Sequence, residues 1–132
     1  MNCLLDTHVF LWAAFEPKRL SRSAAQAITD SDNAIFVSVV SFWEISLKFS
    51  LGKIEFKGVS PDELPDTALR MGFNLLELQA EDAASFHGLP RGAHKDPFDR
   101  MLAYQAIRQH KTLVSADSEL RCYIPNGLKV LW

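Results

Sequence analysis

Short apolar runs alternate with helical segments along the chain, and this alternation predicts the secondary structure. Five runs rich in β-branched or other apolar residues predict strands, at residues 2–5, 34–40, 73–78, 112–115 and 129–131. The segments between them predict helices at residues 9–15, 21–31, 41–50, 60–72, 81–87 and 97–110. Strands separated by helices need crossover connections, so we expect an α/β fold with a central, mainly parallel sheet flanked by α-helices.

Local signals sharpen several helix boundaries. Ser41 and Glu44 have the spacing of a capping box, so a helix is expected to open at Ser41. Asp96 before Pro97 is typical of the residue that caps a helix. Gly72 is placed to end the helix that begins after Ser60. Pro90 and Gly92 indicate a loop over residues 89–95.

Length, composition and charge narrow the class of protein. The chain has 132 residues and 48% hydrophobic residues, which predicts one folded domain spanning residues 1–132. Its formal net charge of −2 excludes a wholly basic nucleic-acid coat protein, although a local basic patch stays possible. No apolar run approaches the ~18 residues of a membrane span. The start, MNCLLDTH, is unlike a signal peptide, and two distant cysteines do not form a disulfide scaffold, so a cytoplasmic location is expected.

Four acidic residues follow predicted strands or open a predicted helix. Asp6 and Asp117 come after strands, and Asp99 lies in the first turn of the helix after Pro97. Glu44 lies in the helix after the second strand. Taken alone, each has a structural explanation as a cap, a capping-box acid or a partner of a helix dipole. In a parallel sheet, however, groups beyond the carboxyl ends of the strands can share one edge, where ligands bind.

Carboxylates brought together repel one another, and only a cation or a proton makes such a cluster stable. Oxygen ligands of this kind favour Mg²⁺ or Mn²⁺. A water activated by such a metal next to a phosphate would hydrolyse a phosphoester. Catalysis by a nucleophilic serine or cysteine has less support, because the chain has no GxSxG or Cys–His pattern.

Four blocks of the sequence, in order, resemble one known family. They are NCLLDTHVFLW (2–12), VSVVSFWEISLKFSLGKIEF (37–56), AHKDPFDRMLAYQA (93–106) and TLVSADSEL (112–120), and the ending Leu131-Trp132 also fits. With these blocks the chain resembles PIN-domain proteins of the VapC toxin type, which belong to type II toxin–antitoxin pairs. The resemblance covers nearly the whole chain and implies a PIN-like α/β fold. The loop at residues 88–93 departs from many relatives, so its contacts with substrate are open.

Carried over residue by residue, the resemblance places the metal-binding and catalytic acids at Asp6, Glu44, Asp99 and Asp117. Asp96 keeps its capping role, with a supporting or substrate role also open, and Asp99 is matched to the family's ligand because it precedes the helical stretch LAYQA (102–106). Thr7 and Ser115 are expected to support the acids, whereas His8 is expected to pack or cap rather than bind metal. Arg100 is the best candidate for a phosphate contact, with an ion pair as its alternative. The other basic candidates are Lys48, Lys53, Lys57, Arg91 and Lys95.

The resemblance implies an endoribonuclease that depends on Mg²⁺ or Mn²⁺. In the family's mechanism a metal-bound water attacks phosphorus in line and leaves 5′-phosphate and 3′-hydroxyl ends. It also implies a homodimer and a VapB-type antitoxin that occupies a hydrophobic groove. A surplus of apolar residues supports such interfaces, namely Phe10, Leu11, Trp12, Phe15, Phe49 and Ile54. Phe42 and Trp43 are open between the core and stacking on RNA bases.

Two other functions compete with this one. A PIN fold could serve as a catalytically silent module that binds RNA or protein, although all four acids are present. A phosphatase of the haloacid-dehalogenase type would need a second aspartate two residues after Asp6, where His8 stands instead. A receiver domain would need an aspartate at the end of its third strand, and none stands there. Transfer, ribosomal and messenger RNA are all open as substrates, as is binding of one or two metal ions.

Overall fold

A computed structural model describes residues 1–92 and 94–132. Ala93, which begins the 93–106 block and ends the divergent loop, lies outside the described residues. The strands are β1 (Asn2–Leu5), β2 (Ala34–Ser38), β3 (Asn74–Leu76), β4 (Thr112–Val114) and β5 (Lys129–Leu131). The α-helices are α1 (Thr7–Phe15), α2 (Arg22–Thr29), α3 (Val39–Ser50), α4 (Leu64–Arg70), α5 (Ala80–Ser85) and α6 (Pro97–Arg108). Short 3₁₀ segments lie at Pro17–Arg19, Pro61–Glu63, Phe86–Gly88 and Ser118–Asn126.

The five strands form one sheet in the order β3-β2-β1-β4-β5, and every pairing is parallel. This arrangement confirms the predicted α/β class. β1 lies at the centre, so the chain immediately after β1 meets the chain after β2 on one side and after β4 on the other. The strand order therefore gathers three segments from distant parts of the sequence at one edge.

Hydrophobic clusters cover both faces of the sheet. Because side chains alternate along a strand, Cys3 and Leu5 of β1 point to one cluster and Leu4 to the other. The first cluster includes residues of α1, α2, α3 and α4, and the second includes residues of α6 and the Ser118–Asn126 segment. A buried hydrogen bond of 2.5 Å from the Ser38 hydroxyl to Gln105 Oε1 joins the end of β2 to α6. This bond anchors the two helices that carry Glu44 and Asp99 to one junction.

Two predicted boundaries change near the sheet edge. The second strand ends at Ser38 rather than at residue 40, and α3 begins at Val39. The Ser38 hydroxyl caps that helix by accepting a hydrogen bond from the Val40 amide, at 3.0 Å. The predicted capping box from Ser41 to Glu44 is therefore wrong, and Ser41 is buried inside α3. Glu44 lies in the second turn, so it is free of the capping role.

The structure contains the other predicted signals for the starts and ends of helices. Ser60 and Glu63 form a capping box, although the segment it opens is a 3₁₀ turn that leads into α4. Gly72 follows that helix with a φ of +83°, a conformation that glycine adopts without strain. Asp6 caps α1 through a 2.8 Å bond from the Val9 amide, which starts the helix two residues before its predicted start at residue 9. None of the helices among the described residues is long and apolar enough to cross a membrane.

Candidate metal and nucleic-acid site

Asp6 is placed at the sheet edge by its position directly after β1. Its side chain is 4% exposed, and its carboxylate accepts a hydrogen bond from the Val9 amide at 2.8 Å. Burial raises the pKa of Asp6 and the charge of Glu44 adds to that rise, while the nearby Ser115 hydroxyl and the Val9 amide oppose it. Ser115, just after β4, accepts a bond from the Asp117 amide at 3.1 Å. Ser115 thus bonds to the backbone of Asp117 and lies close enough to Asp6 to lower its pKa.

Glu44 is only 1% exposed, on the face of α3 that packs against α1. The Thr7 hydroxyl donates to Glu44 Oε1 at 2.6 Å and lies 2.9 Å from the Ser41 hydroxyl. Lys48, one turn further along α3, forms an ion pair with Glu44. Burial alone would lower the pKa of Lys48, but Glu44 and the acids of the site raise it. Lys48 is therefore a cation that interacts with the acidic cluster through its ion pair with Glu44.

Asp99 shows most clearly that the carboxylates share one region. Its pKa is raised to about 7, first by burial and then by the negative charges of Asp96, Glu44 and Asp6, while His94 acts in the opposite direction. Asp96 caps α6 by accepting bonds from the Phe98 amide at 2.8 Å and the Asp99 amide at 3.4 Å. The predicted cap at Asp96 is confirmed, and its charge also faces Asp99.

Asp117 is held differently, by a histidine for which the sequence analysis gave no role. His94 Nε2 lies 2.6 Å from Asp117 Oδ2 and 3.5 Å from Asp99 Oδ2. Asp117 also accepts a bond from the Glu119 amide at 2.9 Å, which opens the 3₁₀ segment at Ser118. His94 falls inside the predicted loop, and its position two residues before the cap of α6 was the one signal that could have indicated it.

Arg100 points to the loop before α6. Its guanidinium donates to the carbonyl oxygens of Leu89 at 3.2 Å and Pro90 at 3.5 Å, and to the Tyr123 hydroxyl at 3.1 Å. The Tyr123 hydroxyl in turn donates to the Arg91 carbonyl at 2.9 Å. The contacts found for Arg100 therefore anchor residues 89–91. A cavity of about 340 Å³ lies beside it, lined by Arg91, Gly92, His94, Lys95 and Arg100.

The donor set fits a hard divalent cation. Burial raises the pKa of both Asp6 and Asp99, and the charges of neighbouring carboxylates raise it further, so a cation among them would relieve that repulsion. Carboxylate oxygens are the ligands that Mg²⁺ and Mn²⁺ prefer. Within the described residues, the group with ligand atoms all within 4.8 Å of one another is His94, Asp117 and Glu119. Asp99 lies 3.5 Å from His94 of this group, and the charges of Glu44 and Asp6 act on Asp99.

The aromatic residues near the site divide between core and surface. Phe42 packs edge-on against Phe10 at 5.8 Å, whereas Trp43 is 64% exposed and contacts Phe98 edge-on at 5.2 Å. Of the apolar residues expected at interfaces, Phe10 is wholly buried in the core. The others border a groove of about 530 Å³ or lie beside it: Leu11, Trp12, Phe15 and Ile54 line it, and Phe49 stacks on Phe56 at its wall.

Comparisons with known proteins agree with this architecture. The family model described as PIN domain matches residues 3–123. The chain is 31% identical to Ribonuclease VapC22 of Mycobacterium tuberculosis over 120 residues. This alignment covers 91% of this chain and 90% of that protein. The fold of this chain is similar to that of a chain in the structure of VapBC2 from Rickettsia felis. That complex was solved bound to a DNA fragment from the promoter of VapBC2. That match has a TM-score of 0.67 and 18% identity, and it covers 99% of this chain and 98% of the other.

A second solved structure, FitAcB from Neisseria gonorrhoeae, matches with a TM-score of 0.65 and 19% identity over 98% of this chain and 96% of that chain. At these identities the likeness establishes the fold. The family model and the curated relative, in contrast, also match the sequence itself.

Proposed function

The chain belongs to the PIN-domain family, and we propose that it is a VapC-like toxin, a metal-dependent endoribonuclease that a VapB-type antitoxin neutralises. The observation that carries this proposal is the charge around Asp99. Burial and then the charges of three other carboxylates raise its pKa to about 7, although Lys48 and His94 lie nearby. Bringing these negative charges together costs free energy, and a divalent cation bound among them would offset that cost.

We assign the four acids Asp6, Glu44, Asp99 and Asp117 as the metal-binding and catalytic residues. A bound Mg²⁺ or Mn²⁺ would supply a Lewis acid that activates water and offsets charge on the scissile phosphate. The carboxylates would hold the cation and orient the attacking water toward phosphorus. Thr7 would keep Glu44 aimed inward, and Ser115 would do the same for Asp6.

RNA phosphates need a local cationic surface, because the chain as a whole carries a formal charge of −2. The cavity lined by Arg91, Lys95 and Arg100 supplies one directly beside His94. In this proposal Arg91 and Lys95 contact phosphate, and Arg100 shapes the loop that carries them through its bonds to Leu89 and Pro90. RNA binding should therefore weaken as salt concentration rises.

We assign the antitoxin to the groove of about 530 Å³ between α1 and residues 54–59. Its lining is mostly apolar, with Trp12, Phe15 and Phe56 as large surfaces, and it also includes two basic and two acidic residues, Arg19, Lys57, Glu16 and Glu55. Such a surface suits the apolar face of an amphipathic helix or extended segment. A Phe15→Glu variant should lose binding to the antitoxin and keep its cleavage of RNA.

A homodimer is part of the same proposal. Trp43, Leu47 and Leu51 are exposed and four residues apart on α3 or at its end, so they form one apolar stripe. Contiguous exposed apolar surface is typical of protein interfaces. A Leu47→Glu variant should shift the mass measured by light scattering from dimer to monomer. We place the protein in the cytoplasm, where its RNA substrates and its antitoxin would be found.

Cleavage of labelled total RNA tests the function. The antitoxin-free protein is incubated with Mg²⁺, with Mn²⁺ or with EDTA, beside an Asp6→Asn variant. Asparagine keeps the cap of α1 and removes only the charge, so this variant should fold and fail to cut. Asp66→Asn, at an exposed aspartate of α4, is the matched control and should cut normally.

Each outcome assigns the protein to a different class. Cutting that needs metal and is lost with Asp6→Asn supports the nuclease and reveals the class of RNA. Intact RNA with folded protein at saturating metal would contradict it and favour a silent binding module. Turnover of a phosphomonoester without RNA cleavage would instead favour a phosphatase.

A further inference from the structure

His94 is a buried side chain that the proposed mechanism does not use. It is 6% exposed and belongs to the stretch that leads into α6. Its imidazole contacts acids from two different parts of the chain, Asp117 after β4 and Asp99 within α6. Of the four proposed ligands, these two come from the C-terminal part of the chain, one in α6 and one after β4. The histidine lies between them.

The hydrogen bonds determine which ring nitrogen carries the proton. The Asp96 amide donates to His94 Nδ1 at 3.2 Å, so Nδ1 is the acceptor. The proton of the neutral ring is then on Nε2, which donates to Asp117 Oδ2 at 2.6 Å. Asp99 Oδ2, at 3.5 Å from the same nitrogen, is drawn toward that N–H dipole. One imidazole thus links the cap of α6 to the last acid of the chain.

The stretch before His94 is anchored as well. Arg100 and Tyr123 hold the carbonyl oxygens of residues 89–91, and Arg100 lies over the Phe86 ring at 4.9 Å. The position of the imidazole therefore depends on a network that starts in α6 and in the Ser118–Asn126 segment. These hydrogen bonds would help to place the imidazole accurately.

We propose that His94 is a positioning residue: it holds Asp117 beside Asp99 so that both carboxylates face the same divalent cation. The inference rests on the proposed metal site and adds a residue to it. His94 itself is not a ligand in this arrangement, because one ring nitrogen accepts from the Asp96 amide and the other donates to Asp117. Partners that orient metal ligands in this way commonly change metal affinity 10–100-fold.

Two variants test the roles of the two ring nitrogens of His94 separately. His94→Asn keeps an acceptor near the Nδ1 position for the Asp96 amide but is too short to reach Asp117. His94→Gln places an amide N–H near the Nε2 position and keeps the contact with Asp117. His87→Asn, in the Phe86–Gly88 turn, is the matched surface control. Binding of Mn²⁺ alone is measured by the loss of the free-ion signal in electron paramagnetic resonance, and thermal melts check folding.

We expect the Kd for Mn²⁺ to rise about 10–100-fold in His94→Asn and to stay near the wild-type value in His94→Gln and His87→Asn. Wild-type protein with Mn²⁺ should show no strong ¹⁴N coupling in pulsed spectra. Unchanged affinity in His94→Asn would overturn the inference, and so would the strong ¹⁴N coupling of a directly bound imidazole. If His94→Asn fails to melt cooperatively, His94→Leu, which fills similar space without either nitrogen, takes its place: a loss of about tenfold or more supports the inference, and wild-type affinity overturns it. Wild-type protein that binds no Mn²⁺ at all would instead remove the proposed metal site, and this inference with it.

Discussion

The two sides of the acidic site are built by different means. The N-terminal side consists of Asp6 and Glu44, which are almost wholly buried and held by a backbone amide and by hydroxyl groups of neighbouring core elements. The C-terminal side consists of Asp99 and Asp117, which are more exposed and linked through His94. The N-terminal side is thus formed by packing around the sheet, and the C-terminal side depends on one imidazole.

The two sides also differ in how their charge is balanced. Glu44 has an ion pair with Lys48 on the same helix, which offsets part of its charge. The pKa of Asp99 rises to about 7 because the side chain is partly buried and because Asp96, Glu44 and Asp6 place negative charge around it. The C-terminal side therefore carries the uncompensated repulsion that a cation would relieve.

The largest expected effect distinguishes the two acids at the start of α6. Asp99→Asn should lower the rate of RNA cleavage ~100-fold or more, because a proposed ligand is lost. Asp96→Asn should cost less than ~10-fold, since asparagine caps a helix about as well as aspartate. Cleavage assays on both variants check this. Loss of activity in Asp96→Asn with activity retained in Asp99→Asn would reverse the assignment.

A second prediction concerns the N-terminal side. Thr7→Val keeps the shape of the side chain but removes the 2.6 Å bond to Glu44, so the Kd for Mn²⁺ should rise about 10-fold or more. Thr29→Val, where the hydroxyl bonds only to carbonyl oxygens of its own helix, is the control and should bind normally. Equal affinity in both variants would show that packing alone holds Glu44.

The pH dependence of stability in metal-free protein should expose the charge difference. The folded pKa of Asp99, about 7, lies above its unfolded value near 3.8, so folding favours the protonated acid. Its stabilising protonation is fully present below the unfolded pKa and is lost as pH rises through the folded pKa. Asparagine does not ionise, so Asp99→Asn should keep its stability as the pH rises. Its Tm should therefore exceed that of wild type by ~5 °C at pH 8, with a smaller difference at pH 5.

Thermal melts of both proteins at the two pH values, with EDTA, test this statement. Saturating Mn²⁺ should raise the Tm of wild type and leave Asp99→Asn nearly unchanged, because the ion binds the folded site. A variant less stable than wild type at pH 8 would mean that Asp99 contributes a favourable contact that outweighs the repulsion.

The smallest expected effect is that of Ser41→Ala. The Ser41 hydroxyl is buried and lies 2.9 Å from the Thr7 hydroxyl, so its removal should cost about 1 kcal/mol of unfolding free energy. Thr7 keeps its bond to Glu44, so Mn²⁺ affinity should change only slightly. Denaturant unfolding and the Mn²⁺ titration measure the two quantities. A large loss of affinity would show that Ser41 acts as part of the metal site.

Much of this arrangement was predictable from local sequence. The apolar runs predicted all five strands, and Asp6, Asp96 and Asp117 cap the segments that follow them, as their neighbours suggested. The capping box at Ser41 was the wrong local prediction, because the hydroxyl of Ser38 competes for the same role three residues earlier. The mistake moved the start of α3 by two residues, and Glu44 stays a proposed ligand.

The sequence by itself determined the elements, because strand periodicity and helix caps depend on neighbours along the chain. Only the tertiary structure decided that His94 bridges Asp99 and Asp117, that Arg100 anchors the loop, and that Trp43 is exposed while Phe42 packs, partly buried, against the core. These outcomes depend on the order β2-β1-β4, which brings together residues separated by dozens of positions. Charge repulsion and burial act through space, so the raised pKa of Asp99 exists only once that order is formed.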